Sequence, residues 1–320
     1  MAQRILEPGQ IETLAQRSIP RVRAPDRELV FIRRASRLRQ LAHGAAMGDY
    51  LEFLAALVDA QHTVRGRISA MPPDRAQIER CGEHRMPPID PSTWSHEPEW
   101  LETLTSLCAE LASQAGFPPG VGEILSKVRQ ASPAWIDAQA DAVLGRSTDI
   151  EVDAATAPLI MAALQVRWVA LAGHFAADQV NPLDVPGLCP LCGSLPVASV
   201  VYAESGYQGY RYLHCSLCAT EWHMVRVQCS QCGTPGKDIA YHSLEKASRG
   251  NGSGEQADAA VRAETCEHCR GYRKILYQEK DPAVEPVADD VASFALDVLL
   301  GELGYHRASG NPLLWQSTAA

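Results

Sequence analysis

Eight of the ten cysteines in this 320-residue chain fall between Cys189 and Cys269, as four Cys-x-x-Cys pairs: 189/192, 215/218, 229/232 and 266/269. Two cysteines separated by two residues can serve one metal ion, because the intervening turn directs both sulfurs to one side while backbone amides donate to them. Four pairs make two complete sets of four thiolates. Cys189-Pro190-Leu191-Cys192-Gly193 is the most informative, with proline stiffening the turn and glycine permitting the tight backbone that follows. Cys229-Ser230-Gln231-Cys232-Gly233 repeats the glycine, and the turns ending in Cys218-Ala219 and Cys269-Arg270 read as looser versions. Cys81 and Cys108 stand alone, and packing in a helix or loop is their simplest use.

Pairing in sequence order is simplest, with Cys189, Cys192, Cys215 and Cys218 on one ion and Cys229, Cys232, Cys266 and Cys269 on the other. A cross-braced arrangement of alternating pairs is the alternative. Four sulfurs in a tetrahedron suit Zn(II) or a single iron equally well, and spacing does not separate them. A closed set of four ligands keeps no position for water, which argues for a structural or electron-holding role rather than hydrolysis. His214, His223, His242 and His268 lie near the cysteines and read as second-layer or surface groups. Thiol-disulfide exchange is the rival chemistry, but an oxidoreductase needs one such pair at the start of a helix rather than four in turns.

The elements that must position these residues divide the chain. Residues 1–182 read as a helical domain, with helices expected over Asp26–Gly44, Asp49–Ile68, Glu97–Gln114, Gly120–Gln130, Pro133–Leu144 and Asp153–Ala177 and a turn of helix over Asp74–Cys81. The first two form an antiparallel hairpin, the last is apolar nearly all round and so central, and Arg33, Arg34, Arg37 and Arg39 read as a solvated face. At Asn181-Pro182-Leu183-Asp184-Val185-Pro186-Gly187 the composition shifts. Short strands follow over Val197–Tyr202, Tyr210–His214, Trp222–Val227, Ile239–Leu244 and Tyr272–Gln278. They fall in two units, 183–226 and 227–282, each holding two cysteine pairs. Lys246–Gln256 is a polar loop, and 283–320 holds a helix over Val287–Leu303 and a tail. The fold class is therefore α+β: an N-terminal all-helical domain, two small zinc-ribbon-like β modules and a C-terminal helix.

Composition limits the function classes. The chain has 46% hydrophobic and 21% charged residues and a formal charge of −9, the make-up of a globular protein that repels polyanions. Between residues 189 and 277 nine Lys or Arg face eight Asp or Glu, and two cages of net −2 each turn that balance negative. Nucleic acid is not an expected partner. No run approaches the ~18–20 apolar residues that cross a bilayer, so no membrane insertion is expected. The start lacks the pattern of a secretory signal, which makes the cytoplasm the default location. No phosphate loop, nucleophile elbow or His-Glu-x-x-His motif appears, and the chain reads as a binding protein rather than an enzyme.

The run from Cys189 to Trp315 resembles the formate dehydrogenase accessory (formation) protein family, FdhE. The resemblance rests on CPLCGSLPVASVV, GYRYLHCSLCATEWHMVRVQCSQCG, KILYQEKDPAVEPVADDVASFALD and GYHRASGNPLLW, and the helical half fits the family's order with less distinctive motifs. It implies two rubredoxin-like modules after a helical domain, with the eight cysteines as metal ligands and iron favoured over zinc. It also implies a cytoplasmic maturation factor needed for active respiratory formate dehydrogenase, which contacts that enzyme's large catalytic subunit; self-association is left open. The alternative is a rubredoxin-like electron-transfer or thiol redox protein acting on the same enzyme. Glu221, Trp222, His223, Arg226, Asp281, Asp289 and Asp290 match family motifs without an assigned role. The loop Lys246–Gln256 is longer than the family pattern requires.

Overall fold

The computed structural model of the protein describes residues 19–68, 70–114, 116–117, 120–244 and 259–314. Helices occupy its first part: α1 (Val30–Ala42), α2 (Gly48–Arg65), α3 (Arg75–Glu83), α4 (Pro98–Ala112), α5 (Val121–Gln130), α6 (Pro133–Val143) and α7 (Ala157–Ala172). Local chemistry sets where they start. The Asp74 carboxylate accepts the Gln77 amide at 2.7 Å and begins α3, and Ser132 accepts the Trp135 amide ahead of α6. The helix expected from Asp26 begins at Val30, because Asp26 spends its carboxylate on the Glu28 and Leu29 amides and makes a turn first. Asp153 likewise binds the Thr156 amide at 3.0 Å, and the helix behind it runs only over Ala157–Ala172.

Helix α7 is the centre of the helical half. Nearly every side chain along it is buried, and α2, α4 and α6 pack around it, as an all-round apolar sequence requires. Trp168 meets Trp94 edge-on at 5.2 Å and donates its indole N–H to the Ile89 carbonyl at 2.9 Å, so its polar edge is satisfied inside the core.

The strands are β1 (Val22–Arg23), β2 (Pro196–Val201), β3 (Arg211–Cys215), β4 (Glu221–Met224), β5 (Ile239–His242), β6 (Val261–Cys266), β7 (Gly271–Tyr277) and β8 (His306–Arg307). They form one sheet in the order β1-β4-β3-β2-β7-β6-β5, with β8 beside β7. The antiparallel sets β2-β3-β4 and β5-β6-β7 are welded by a parallel pair in which Ser199, Val200 and Val201 lie opposite Ile275, Leu276 and Tyr277. Strand β2 is buried along its whole length, as a strand with neighbours on both sides and a helix on its face must be. Strand β6 escapes the sequence pattern because Glu264 and Thr265 are buried in it and break the apolar alternation. The expected loop Lys246–Gln256 and Trp315 lie outside the described residues.

Two expectations are corrected. The single C-terminal helix is two, α8 (Pro286–Ala292) and α9 (Phe294–Glu302), which meet at Ser293. The Ser293 hydroxyl donates to the Asp289 carbonyl at 2.6 Å, and the Lys274 ammonium donates to the Asp290 and Ser293 carbonyls at 2.6 and 3.2 Å. Those groups thus bond to side chains where one helix would otherwise run on. The arginine face of α1 is also not uniformly solvated. Arg33 and Arg39 are exposed, but Arg34 and Arg37 are buried. Arg34 donates to Glu285 at 2.9 Å, and Arg37 donates to Asp289 at 2.6 and 2.9 Å and to Asp281 at 2.6 Å. Helix α1 therefore packs on α8 through buried charge pairs, and α8 packs on β2.

Candidate metal centres

The eight paired cysteines come together in two sets, Cys189/Cys192/Cys215/Cys218 and Cys229/Cys232/Cys266/Cys269, and within each set the sulfurs all lie within 4.8 Å of one another. This is the sequential pairing, not the cross-braced one. The Sγ–Sγ separations include 3.6 Å for Cys189–Cys218, 3.4 Å for Cys192–Cys215, 3.8 Å for Cys229–Cys269 and 3.7 Å for Cys232–Cys266. Four sulfurs at about 2.3 Å from a common centre stand about 3.8 Å apart on the edges of a tetrahedron. The spacing thus fits one ion per set, and none of the sulfurs is joined in a disulfide.

All four turns share one backbone device. The residue after each second cysteine has a left-handed conformation: Gly193 (φ 75°), Ala219 (φ 57°), Gly233 (φ 75°) and Arg270 (φ 57°). The two turns that look loose in sequence are therefore built like the others, with Ala219 and Arg270 held where glycine is cheaper by about 1 kcal/mol. The Arg270 guanidinium anchors its turn by donating to Glu267 at 2.6 Å and to the Leu303 carbonyl at 2.9 Å. The amides of Gly193, Gly233 and Arg270 close onto the carbonyls of Cys189, Cys229 and Cys266 at 2.8–3.0 Å. Amides then point at sulfur: Leu217 and Cys218 donate to Cys215 Sγ, and Gln231 to Cys229 Sγ, each at 3.4 Å. Thr220 and Thr234 place hydroxyl oxygens 3.2 Å from Cys218 and Cys232. Such donors spread the negative charge that four thiolates bring to a divalent ion.

The two sets differ in their surroundings. The first is sealed: its four cysteines are at most 1% exposed and belong to the same apolar core as α7. Its turns are gripped from the helical half, where the Ile89 amide donates to the Leu191 carbonyl at 3.1 Å and the Gln165 side chain to the Ser216 carbonyl at 2.7 Å. Burial pushes the Cys189 and Cys215 thiols well up, and neighbouring sulfurs add to this at Cys189. The second set sits at the edge, with Cys232 exposed and Cys269 half-buried. At Cys232 partial burial works upward, but bonds from Thr234 and the neighbouring thiols outweigh it and bring the thiol down to about 6.

Buried charge links the two centres. Arg273 on β7 donates to the Ser230 hydroxyl, inside the second set's first turn, at 2.9 Å, and to the Pro196 carbonyl at the start of β2. Burial together with Arg211 and Arg307 pushes its guanidinium down to about 9, while Glu264 and Cys229 work the other way. Arg211 on β3 donates to Glu264 on β6 at 2.9 Å across the two strands between them. The first set's environment also includes residues that sequence reasoning left without a role. Trp222 donates to the Pro186 carbonyl at 2.8 Å. Glu221 accepts from Tyr202 at 2.6 Å and lies 3.1 Å from His214 Nδ1. Neither sulfur set includes a histidine, and Cys108 is buried in α4, away from both. Arg211, Arg273 and Lys274 carry no sequence signal, since isolated basic residues in strands read as solvent-facing.

Known proteins match along the chain. Models of the FdhE N-terminal, central and C-terminal domains match residues 19–184, 188–226 and 227–314. A protein named Protein FdhE homolog from Pseudomonas aeruginosa is 41% identical over 316 residues, with 98% of each chain covered. One of the same name from Cronobacter sakazakii is 39% identical over 320 residues, again covering 98% of each. The crystal structure of the FdhE protein from Pseudomonas aeruginosa superposes with a TM-score of 0.80 at 39% identity, covering 92% of this chain and 99% of that one.

Proposed function

The chain belongs to the FdhE family, and from that membership we propose that it is a non-enzymatic accessory protein for the formation of active formate dehydrogenase, acting in the cytoplasm and binding the enzyme's catalytic subunit. In this reading the eight cysteines are the ligands of two metal ions. The observation that carries it is the pair of four-sulfur sets, each spaced for a single ion and welded into one sheet through β2 and β7. Four sulfurs fill a tetrahedral ion's coordination, so the chemistry supplied is cohesion, and for iron the holding of one electron. Iron is favoured over zinc by the family resemblance. The bound ions would hold the strands of the sheet, and the sheet holds α1 and α8, as a recognition platform.

The test measures metal content and association together. Purified protein is expected to carry two ions and to associate with the catalytic subunit, and Cys189→Ser and Cys229→Ser are each expected to weaken both. Undiminished association by a folded variant that has lost its metal would remove the scaffold role. The exposure of Cys232 favours a second reading, in which the edge centre passes an electron to or from the same enzyme. That reading requires a reversible one-electron change in visible absorbance, since four thiolates on ferric iron absorb visible light and zinc gives no such band.

A further inference from the structure

A cleft of about 620 Å³ lies where α1, the strands of the first module and residues 278–286 meet, within the ~300–1,000 Å³ range of ligand sites. Ala219, in the last turn of the first sulfur set, is in its wall. Most of the charge around it is internally satisfied. Glu221 is held by Tyr202, His214 and Arg23. The Arg23 guanidinium stacks on Tyr202 and Tyr207 at 4.3 and 4.4 Å. Arg37 is tied to Asp281 and Asp289, and Glu285 to Arg34.

Arg23 Nη1 has no hydrogen-bond partner, and three further groups in the wall have capacity to spare. His214 is 5% exposed, and its Nε2 has no hydrogen-bond partner. Its Nδ1 lies 3.1 Å from the Glu221 carboxylate, so Nε2 is the ring nitrogen left to meet a ligand. Gln278 uses its side-chain carbonyl to accept the Ala203 amide at 3.0 Å, which leaves its NH₂ to donate. Arg33 is exposed and makes no ion pair among the described residues. An unpartnered ring nitrogen, an amide donor and a cation together suit a peptide. A polar main-chain group answers His214, a main-chain carbonyl answers Gln278, and a carboxylate side chain answers Arg33. An unmatched buried ring nitrogen costs free energy until a partner arrives.

We propose that this cleft holds an extended segment of the formate dehydrogenase catalytic subunit that carries an acidic residue opposite Arg33; the proposal rests on the partner reading above and adds to it where and by what chemistry the partner is gripped. It also gives the first sulfur set a direct use, because loss of the Cys215–Cys218 turn would displace Ala219 and His214 from the cleft wall.

The test uses the full metal-loaded chain. Ile32 is 45% exposed at the cleft and Met71 is 79% exposed outside it. A photo-reactive Ile32→p-benzoylphenylalanine variant is expected to trap one acid-bearing segment of the subunit, and the same residue at Met71 none. Among overlapping synthetic peptides spanning the subunit, the one trapped is expected to bind in solution. Arg33→Glu should weaken it roughly five- to tenfold, with recovery when the peptide's acid is changed to lysine. Whole subunit that still binds Arg33→Glu with wild-type affinity, or adducts arising only at Met71, would overturn the cleft while leaving the partner intact. A wild-type chain that binds no subunit at all would overturn the partner reading and this inference with it.

Discussion

Gln165, on the buried helix α7, donates its side-chain amide to the carbonyl of Ser216 at 2.7 Å, inside the Cys215–Cys218 turn. Its carbonyl in turn accepts from Gln61 on α2 at 3.0 Å. The helical half thus reaches one sulfur-bearing turn by its backbone through a chain of two glutamines, and the first centre is part of the helical core rather than an appendage to it.

Gln165→Leu is expected to leave the Ser216 carbonyl without its donor and Gln61 with one acceptor fewer, at a cost of about 1–3 kcal/mol. Urea unfolding reads the loss directly. Metal should leave the first centre of this variant faster than wild type, with the second unchanged.

Metal removal should proceed in two stages, because Cys232 is open to solvent while the first set is sealed. A chelator is expected to take one ion quickly from the folded protein and the other only as the chain unfolds. Cys232→Ser should abolish the fast phase alone. Release of both ions in one phase would contradict the asymmetry.

Arg37→Met strips the buried Asp289 carboxylate of its partner and is expected to destabilise by about 3–5 kcal/mol. Arg37→Met combined with Asp289→Asn, which removes the stranded charge as well, should recover a substantial part. A double-mutant cycle in denaturant measures the coupling, and additive effects would show that α1 and α8 do not depend on the pair.

Stability should fall in acid through Asp290. Burial works to raise its carboxyl, but Lys274, Arg307 and Asn311 outweigh burial and hold it below the ordinary carboxylate value. A pKa lowered on folding contributes stability that is fully present above the unfolded value of about 3.9 and lost as pH drops below it toward the folded value. Asp290→Asn should therefore lie well below wild type at neutral pH, with the difference narrowing in acid.

Gly193 and Gly233, the two turn glycines, should respond unequally to alanine. Both have φ 75°, which costs a Cβ about 1–2 kcal/mol. At Gly193 the new methyl would also meet the Pro87 ring at 3.2 Å, whereas at Gly233 its nearest neighbour is the end of Gln228 at 3.7 Å. Gly193→Ala is expected to have the lower melting temperature.

Where sequence and structure agree, the signal is local. A Cys-x-x-Cys turn, a proline in a first helical turn and an apolar helix such as α7 each carry their instructions within a few residues, and the grouping of the eight sulfurs and most of the helices α1 to α7 among the described residues follow from them. Where they part, the cause is a distant partner. Arg34 and Arg37 look like surface residues because Glu285 and Asp289 are remote in sequence. Strand β6 hides because Glu264 finds Arg211 inside the fold, and the break at Ser293 depends on Lys274 arriving from β7. Nor does periodicity announce that Val200 on β2 lies opposite Leu276 on β7.

The span between Arg34 and Glu285 is 251 residues, and it sets an order on biogenesis. As the chain leaves the ribosome, α1 emerges with two arginines facing water, and the first four sulfurs follow long before any carboxylate that could cover them. A nascent polypeptide halted short of residue 281 would already own a complete ligand set, yet its leading helix would be half clad. Helix α8, translated after all eight cysteines, is what covers the two arginines, so the helix that emerges early is completed by one that emerges late.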